Sequence, residues 1–133
     1  MTALDLKKYI GIPFKSCGRD FSGLDCWGLI QLVYRERLGI ELPTYGGIYK
    51  DGSPETLREI GIVMERERGR WVSVSQPKDY DIVLLKMAGK LPTHVGVVSG
   101  KFFLHIMSGI ESVIERMDNL MWARRIAGIY RCK

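Results

Sequence analysis

Gly23-Leu24-Asp25-Cys26-Trp27-Gly28-Leu29-Ile30 places a cysteine directly after an aspartate, at the head of an apolar run. Asp25 can cap a helix, and Cys26, Leu29, Ile30 and Val33 recur at i, i+3, i+4 and i+7. The spacing therefore predicts a helix from Cys26 to Leu38, stopped by Gly39, with the cysteine on its inward face. A thiol with pKa near ~8.5 is only slightly ionised at neutral pH, but unpaired helix N–H groups and a nearby imidazolium lower that value. Cys26 is thus a candidate nucleophile with a depressed pKa. The competing reading is a small buried hydrophobe, the commoner fate of a cysteine on an apolar helix.

The choice turns on the two histidines of the chain, which both lie in strand-like runs: Thr93-His94-Val95-Gly96-Val97 and Phe103-Leu104-His105-Ile106-Met107. If Ser99-Gly100 forms a two-residue hairpin turn, Val98 pairs with Lys101 and His94 stands directly opposite His105. Such neighbours have Cβ atoms about 4.5–5.5 Å apart on one face, so one imidazole can orient the other. A cysteine nucleophile needs a base and a partner that orients it. Gly96 and Gly28 are expected to let the Cys26 helix and the His94 strand pack closely.

Around this centre, a helix is predicted from Thr2 to Ile10, a loop from Phe14 to Leu24, and a helix from the cap Ser53-Pro54 to Met64. Strands follow at Trp71 to Ser75, Asp81 to Met87, His94 to Val98, Phe102 to Met107, Val113-Ile114 and Arg125 to Arg131. Helices first and sheet afterwards is the pattern of an α+β domain, and 133 residues suit one domain, 1–133, with its own core.

The net charge of +5 favours anionic surroundings, but the basic residues are scattered. Arg66, Arg68 and Arg70 alternate with Glu65, Glu67 and Gly69, a solvated pattern rather than a phosphate track, so nucleic acid is not an expected partner. Three cysteines, Cys17, Cys26 and Cys132, are odd in number and widely spaced, which argues against a disulfide framework and for synthesis in a reducing compartment. No Cys-x-x-Cys or His-x-x-x-His pair is present, so neither a metal nor another cofactor is expected. The first ten residues lack the apolar core of a signal peptide, and no run is long enough to span a bilayer. The chain is therefore expected to be made in the cytoplasm.

Asp-Cys-x-Gly-Leu at a helix start, then His-x-Gly on one strand and a polar residue on the next, resembles the NlpC family of papain-like cell-wall peptidases. The likeness runs from Pro13-Phe14 through Ser22-Gly23-Leu24-Asp25-Cys26, Thr93-His94-Val95-Gly96-Val97 and His105 to Arg125-Ile126-Ala127-Gly128-Ile129-Tyr130-Arg131. It implies a papain-like α+β fold, with Cys26 as nucleophile, His94 as base and His105 as the orienting residue. It implies peptidoglycan stem peptides as substrate, with Asp25, Trp27 and Phe14 at positions that meet it. The family usually has serine where Trp27 stands and tyrosine where Phe14 stands, so the bond cleaved is left open. Tryptophan after the cysteine is similar to the phage-tail branch, which implies tail-tip proteins as partners and incorporation in a tail or virion. Two alternatives share the fold: a silent structural tail-assembly protein, and a thiol amidase or acyltransferase acting on another acyl donor.

Overall fold

The computed structural model describes residues 3–15, 18–43, 70–87 and 94–132. The predicted helix at 53–64, Cys17, and Arg66 and Arg68 lie outside them. In chain order the elements are a 3-10 helix Ala3–Tyr9, β1 Arg19–Asp20, β2 Gly23–Leu24, and α1 Cys26–Val33 continued by a π-helical turn Tyr34–Leu38. Then come β3 Trp71–Ser73, β4 Ile82–Leu85, β5 His94–Ser99, β6 Phe102–His105, β7 Val113–Arg116, α2 Leu120–Ala123 and β8 Ile126–Cys132. Strands β3 to β8 form one antiparallel sheet in the order β3-β8-β4-β5-β6-β7. The α+β architecture read from the sequence is the one observed.

Helix α1 begins and ends where its residues dictate. Asp25 has an extended backbone and its Oδ1 accepts from the Gly28 N–H at 2.8 Å, satisfying one of the first-turn donors that a helix leaves unpaired. Gly39 closes the π turn at φ 65°, a left-handed conformation that glycine adopts without strain. The helix is not amphipathic, however: all eight residues from Cys26 to Val33 are buried. One side packs on the sheet, and Leu42-Pro43 covers another, held by the Trp27 indole N–H donating to Pro43 O at 3.1 Å and by Gln31 Nε2 donating to the same carbonyl at 3.2 Å.

The β1–β2 hairpin, read from the sequence as loop, closes over the first turn of α1. Arg19 Nη1 donates to Asp25 Oδ1 at 2.9 Å. A Cβ at Gly28 would lie 2.3 Å from Gly18 O, so Gly28 admits the hairpin and not the sheet, contrary to its expected role. The 3-10 helix is tied down at its far end, where Ser112 Oγ donates to Tyr9 O at 2.5 Å and accepts from the Ile12 N–H at 2.8 Å.

Both faces of the sheet are covered. Against α1 lie Ile82, Leu84, Val95, Val97, Leu104 and Ile106. The opposite face holds Val83, Leu85, Val98, Phe103 and Trp122, the last supplied by the one-turn helix α2. Every residue of β4 and β5 is consequently buried, and their near-continuous apolar sequence follows from having no solvated side.

Candidate active site

Cys26 is 4% exposed at the first position of α1. The backbone N–H groups of Val95, Trp27 and Cys26 itself act on the thiol, which therefore rests near β5 one residue beyond His94. These donors pull the pKa down, but burial, reinforced by the Asp25 charge, outweighs them and pushes the thiol up to about 12. The depressed pKa expected from the helix start is therefore not found: the sulfur is too well shielded from water for the local dipoles to prevail.

The histidines come together by a route that differs from the predicted one. The hairpin turn is Gly100-Lys101, with Ser99 pairing with Phe102 and Val97 with Leu104. Gly100, at φ 60°, occupies the first turn position, where a type II′ turn requires glycine. Ser99 thus stays in the strand, and the register moves by two residues from the expected one. His94 and His105 are diagonal rather than opposite. A shift of two preserves the face, and His94 Nε2 lies 2.8 Å from His105 Nδ1, with the rings nearly perpendicular at 73°.

Gly96 serves this pair and not the helix. A Cβ there would fall 2.9 Å from Phe103 Cδ2, 3.1 Å from Leu104 O and 3.4 Å from His105 Cβ, so the missing side chain makes room for the β6 side chains. Phe103 and Trp122 wall the His105 ring at centroid distances of 4.7 and 4.9 Å. Burial lowers His94 to about 3, with the neighbouring His105 adding to the effect. It lowers His105 as well, opposed by the hydrogen bond and charge of Glu115. Both shifts, like that of the thiol, favour neutral groups at neutral pH.

Glu115 is the residue that sequence reasoning missed. It pairs with Phe103 across β6 and β7, and its Oε2 lies 2.8 Å from His105 Nε2. The resulting chain runs from His94 through His105 to the carboxylate. Only the register of β7, which follows an irregular connection from Ile106 to Ser112, brings Glu115 there.

The three positions expected to meet substrate fare differently. Trp27 is fully buried, with its indole N–H bonded to Pro43 O. Asp25 is 1% exposed and its Oδ1 is bonded to Gly28 and Arg19, so it caps α1 and anchors the hairpin. Phe14 is half-buried, bridged to Leu24 and packed on the core edge.

Residues 11–131 match the model of the NlpC/P60 family. Over 116 residues the chain is 29% identical to the murein DD-endopeptidase MepS/murein LD-carboxypeptidase of Escherichia coli K12, covering 86% of this chain and 53% of that protein. Over 118 residues it is 27% identical to a probable endopeptidase NlpC homolog of Haemophilus influenzae, covering 88% and 54%. The chain thus spans about half the length of the curated relatives it matches. Among solved structures, the NlpC/p60 domain of the peptidoglycan hydrolase SagA superposes with a TM-score of 0.61 at 22% identity, covering 96% of this chain and 93% of that one. An NlpC/P60 family protein from Bacillus cereus superposes with a TM-score of 0.66 at 19% identity, covering 94% and 37%. These structural likenesses speak for the fold. With residues 11–131 of its 133 matched by the family model, the chain belongs to the NlpC/P60 family.

Proposed function

We propose that the protein is a cysteine peptidase that hydrolyses peptide stems of bacterial peptidoglycan. The observation that carries this reading is the chain of side chains leading to the base: His94 is hydrogen-bonded to His105, with the Cys26 thiol against the adjoining backbone of β5. In the proposed cycle His94 removes the thiol proton as the sulfur attacks the stem-peptide carbonyl. The C–S bond forms, the C–N bond breaks, and the proton passes from His94 to the leaving amine. Water, deprotonated by the same imidazole, then hydrolyses the thioester. The N–H groups of Cys26 and Trp27 at the head of α1 lie beside the sulfur and can stabilise negative charge developing there.

A dyad that rests neutral, as burial of both partners favours here, forms its thiolate only as the proton moves to His94. The relatives named murein endopeptidases support the choice of substrate. Release of soluble fragments from purified sacculi by wild-type protein, and its loss in Cys26→Ala with the fold intact, is the expected result. Undiminished release by Cys26→Ala would refute the assignment. The place of action is proposed from the sequence motif: Trp27 after the nucleophile resembles tail-associated members, so the protein is assigned to a phage or prophage tail that opens the host wall. Immunodetection in purified particles tests this, and absence from particles and their assembly intermediates would overturn it.

A further inference from the structure

We propose that Glu115 is a positioning residue that sets the tautomers of both histidines, so that His94 keeps its Nδ1 unprotonated and able to accept a proton. The proposal rests on the reading of Cys26 and His94 as nucleophile and base. A neutral imidazole carries one N–H and one lone pair, and a carboxylate only accepts. With Glu115 Oε2 2.8 Å from His105 Nε2, the single N–H of His105 belongs on Nε2. Its Nδ1 is then an acceptor, and the partner at 2.8 Å, His94 Nε2, must donate to it. That uses the one N–H of His94 and leaves its Nδ1 bare. Each assignment forces the next, and the carboxylate makes the first.

Without that carboxylate the opposite order becomes equally available: His105 protonated on Nδ1, His94 accepting on Nε2 and carrying its proton on Nδ1. The base would then offer a donor where an acceptor is required. The surroundings leave this decision to hydrogen bonding, because Phe103 and Trp122 hold the His105 ring and no solvent reaches it. The Glu115 side chain is 33% exposed, while that of His105 is 0% exposed.

The test is ¹⁵N NMR of the imidazole nitrogens at neutral pH, with activity measured in parallel. Wild-type protein is expected to show both histidines protonated on Nε2. Glu115→Leu should give mixed tautomers at both rings and a kcat lower by about 10–100-fold with KM changed less than about 2-fold, a smaller loss than the about 10²–10⁴-fold that an acid–base group itself contributes. Glu115→Gln, whose amide oxygen can still accept, should keep the wild-type tautomers at least in the majority and most of the activity. Protonation of His94 on Nδ1 in the wild type, or an unchanged tautomer pattern in Glu115→Leu, would overturn the proposal. Should Glu115→Leu fail to fold, the wild-type spectrum and Glu115→Gln decide. The NMR result does not depend on turnover, so failure of the peptidase reading, seen as activity retained in Cys26→Ala, remains a separate outcome.

Discussion

Protonating the buried histidine pair should destabilise the protein in mild acid, and the size of the effect follows from His94. This side chain is 3% exposed, and burial together with His105 lowers its pKa from the ordinary 6.5 to about 3. A folded-state pKa below the unfolded one means that the unfolded chain takes up the proton first. The stability from keeping His94 neutral is therefore complete above about pH 6.5 and is lost as pH falls from there towards about 3. Between about pH 7.5 and about pH 5 the linkage amounts to roughly 2 kcal/mol, a large share of the stability of a small domain. The assay is urea unfolding at the two pH values for wild type and for His94→Gln, which cannot titrate. Groups outside the histidine pair titrate in both proteins, so the difference between them reports on the loss of His94 from the pair: wild type should lose about 2 kcal/mol more than the variant. Equal losses would refute the reasoning, because they would mean that the folded state accepts the proton on His94 without penalty, as it would in a thiolate–imidazolium pair.

Three further outcomes follow from the same geometry. Iodoacetamide should label Cys26 slowly at neutral pH, with a rate still climbing above about pH 9, because burial raises the thiol; a plateau at an apparent pKa below about 7 would show a preformed thiolate. Gly96→Ala should cost about 1–3 kcal/mol and reduce activity, since its Cβ would press on Phe103 and His105; wild-type melting and turnover would contradict this. Arg131→Met should cost about 2–3 kcal/mol in urea unfolding, because it strips the buried Asp81 of a two-pronged ion pair with both N···O distances at 2.9 Å; a neutral result would show that water replaces the guanidinium.

Much of the site was legible where local signals act alone. Asp25 as a cap, Cys26 at a helix start and Gly39 as a stop are decided within a few residues of chain, and they appear where the sequence places them. The pairing of His94 with His105 was legible for a sturdier reason: strand faces alternate with period two, so a hairpin register wrong by two still leaves both rings on one side. What could not be read depends on contacts made by distant segments. Trp27 is sealed by Pro43, and α1 loses its solvent face to the β1–β2 hairpin and Leu42-Pro43. Glu115 reaches His105 only through the register of β7. The direction of the Cys26 shift was missed because a helix-end argument assumes partial exposure, whereas the folded chain buries the sulfur.

The central claim is that Cys26, with His94 as base, cleaves a peptide bond in the stem of peptidoglycan. Mass spectrometry of defined muropeptides after incubation with wild-type, Cys26→Ala and His94→Ala proteins tests it most directly. The account predicts a pair of products whose summed mass equals substrate plus one water with the wild type, and intact substrate with both variants while their folds are retained. Intact substrate with folded wild-type protein, across stem peptides of differing diamino acid, or identical products with Cys26→Ala, would contradict it.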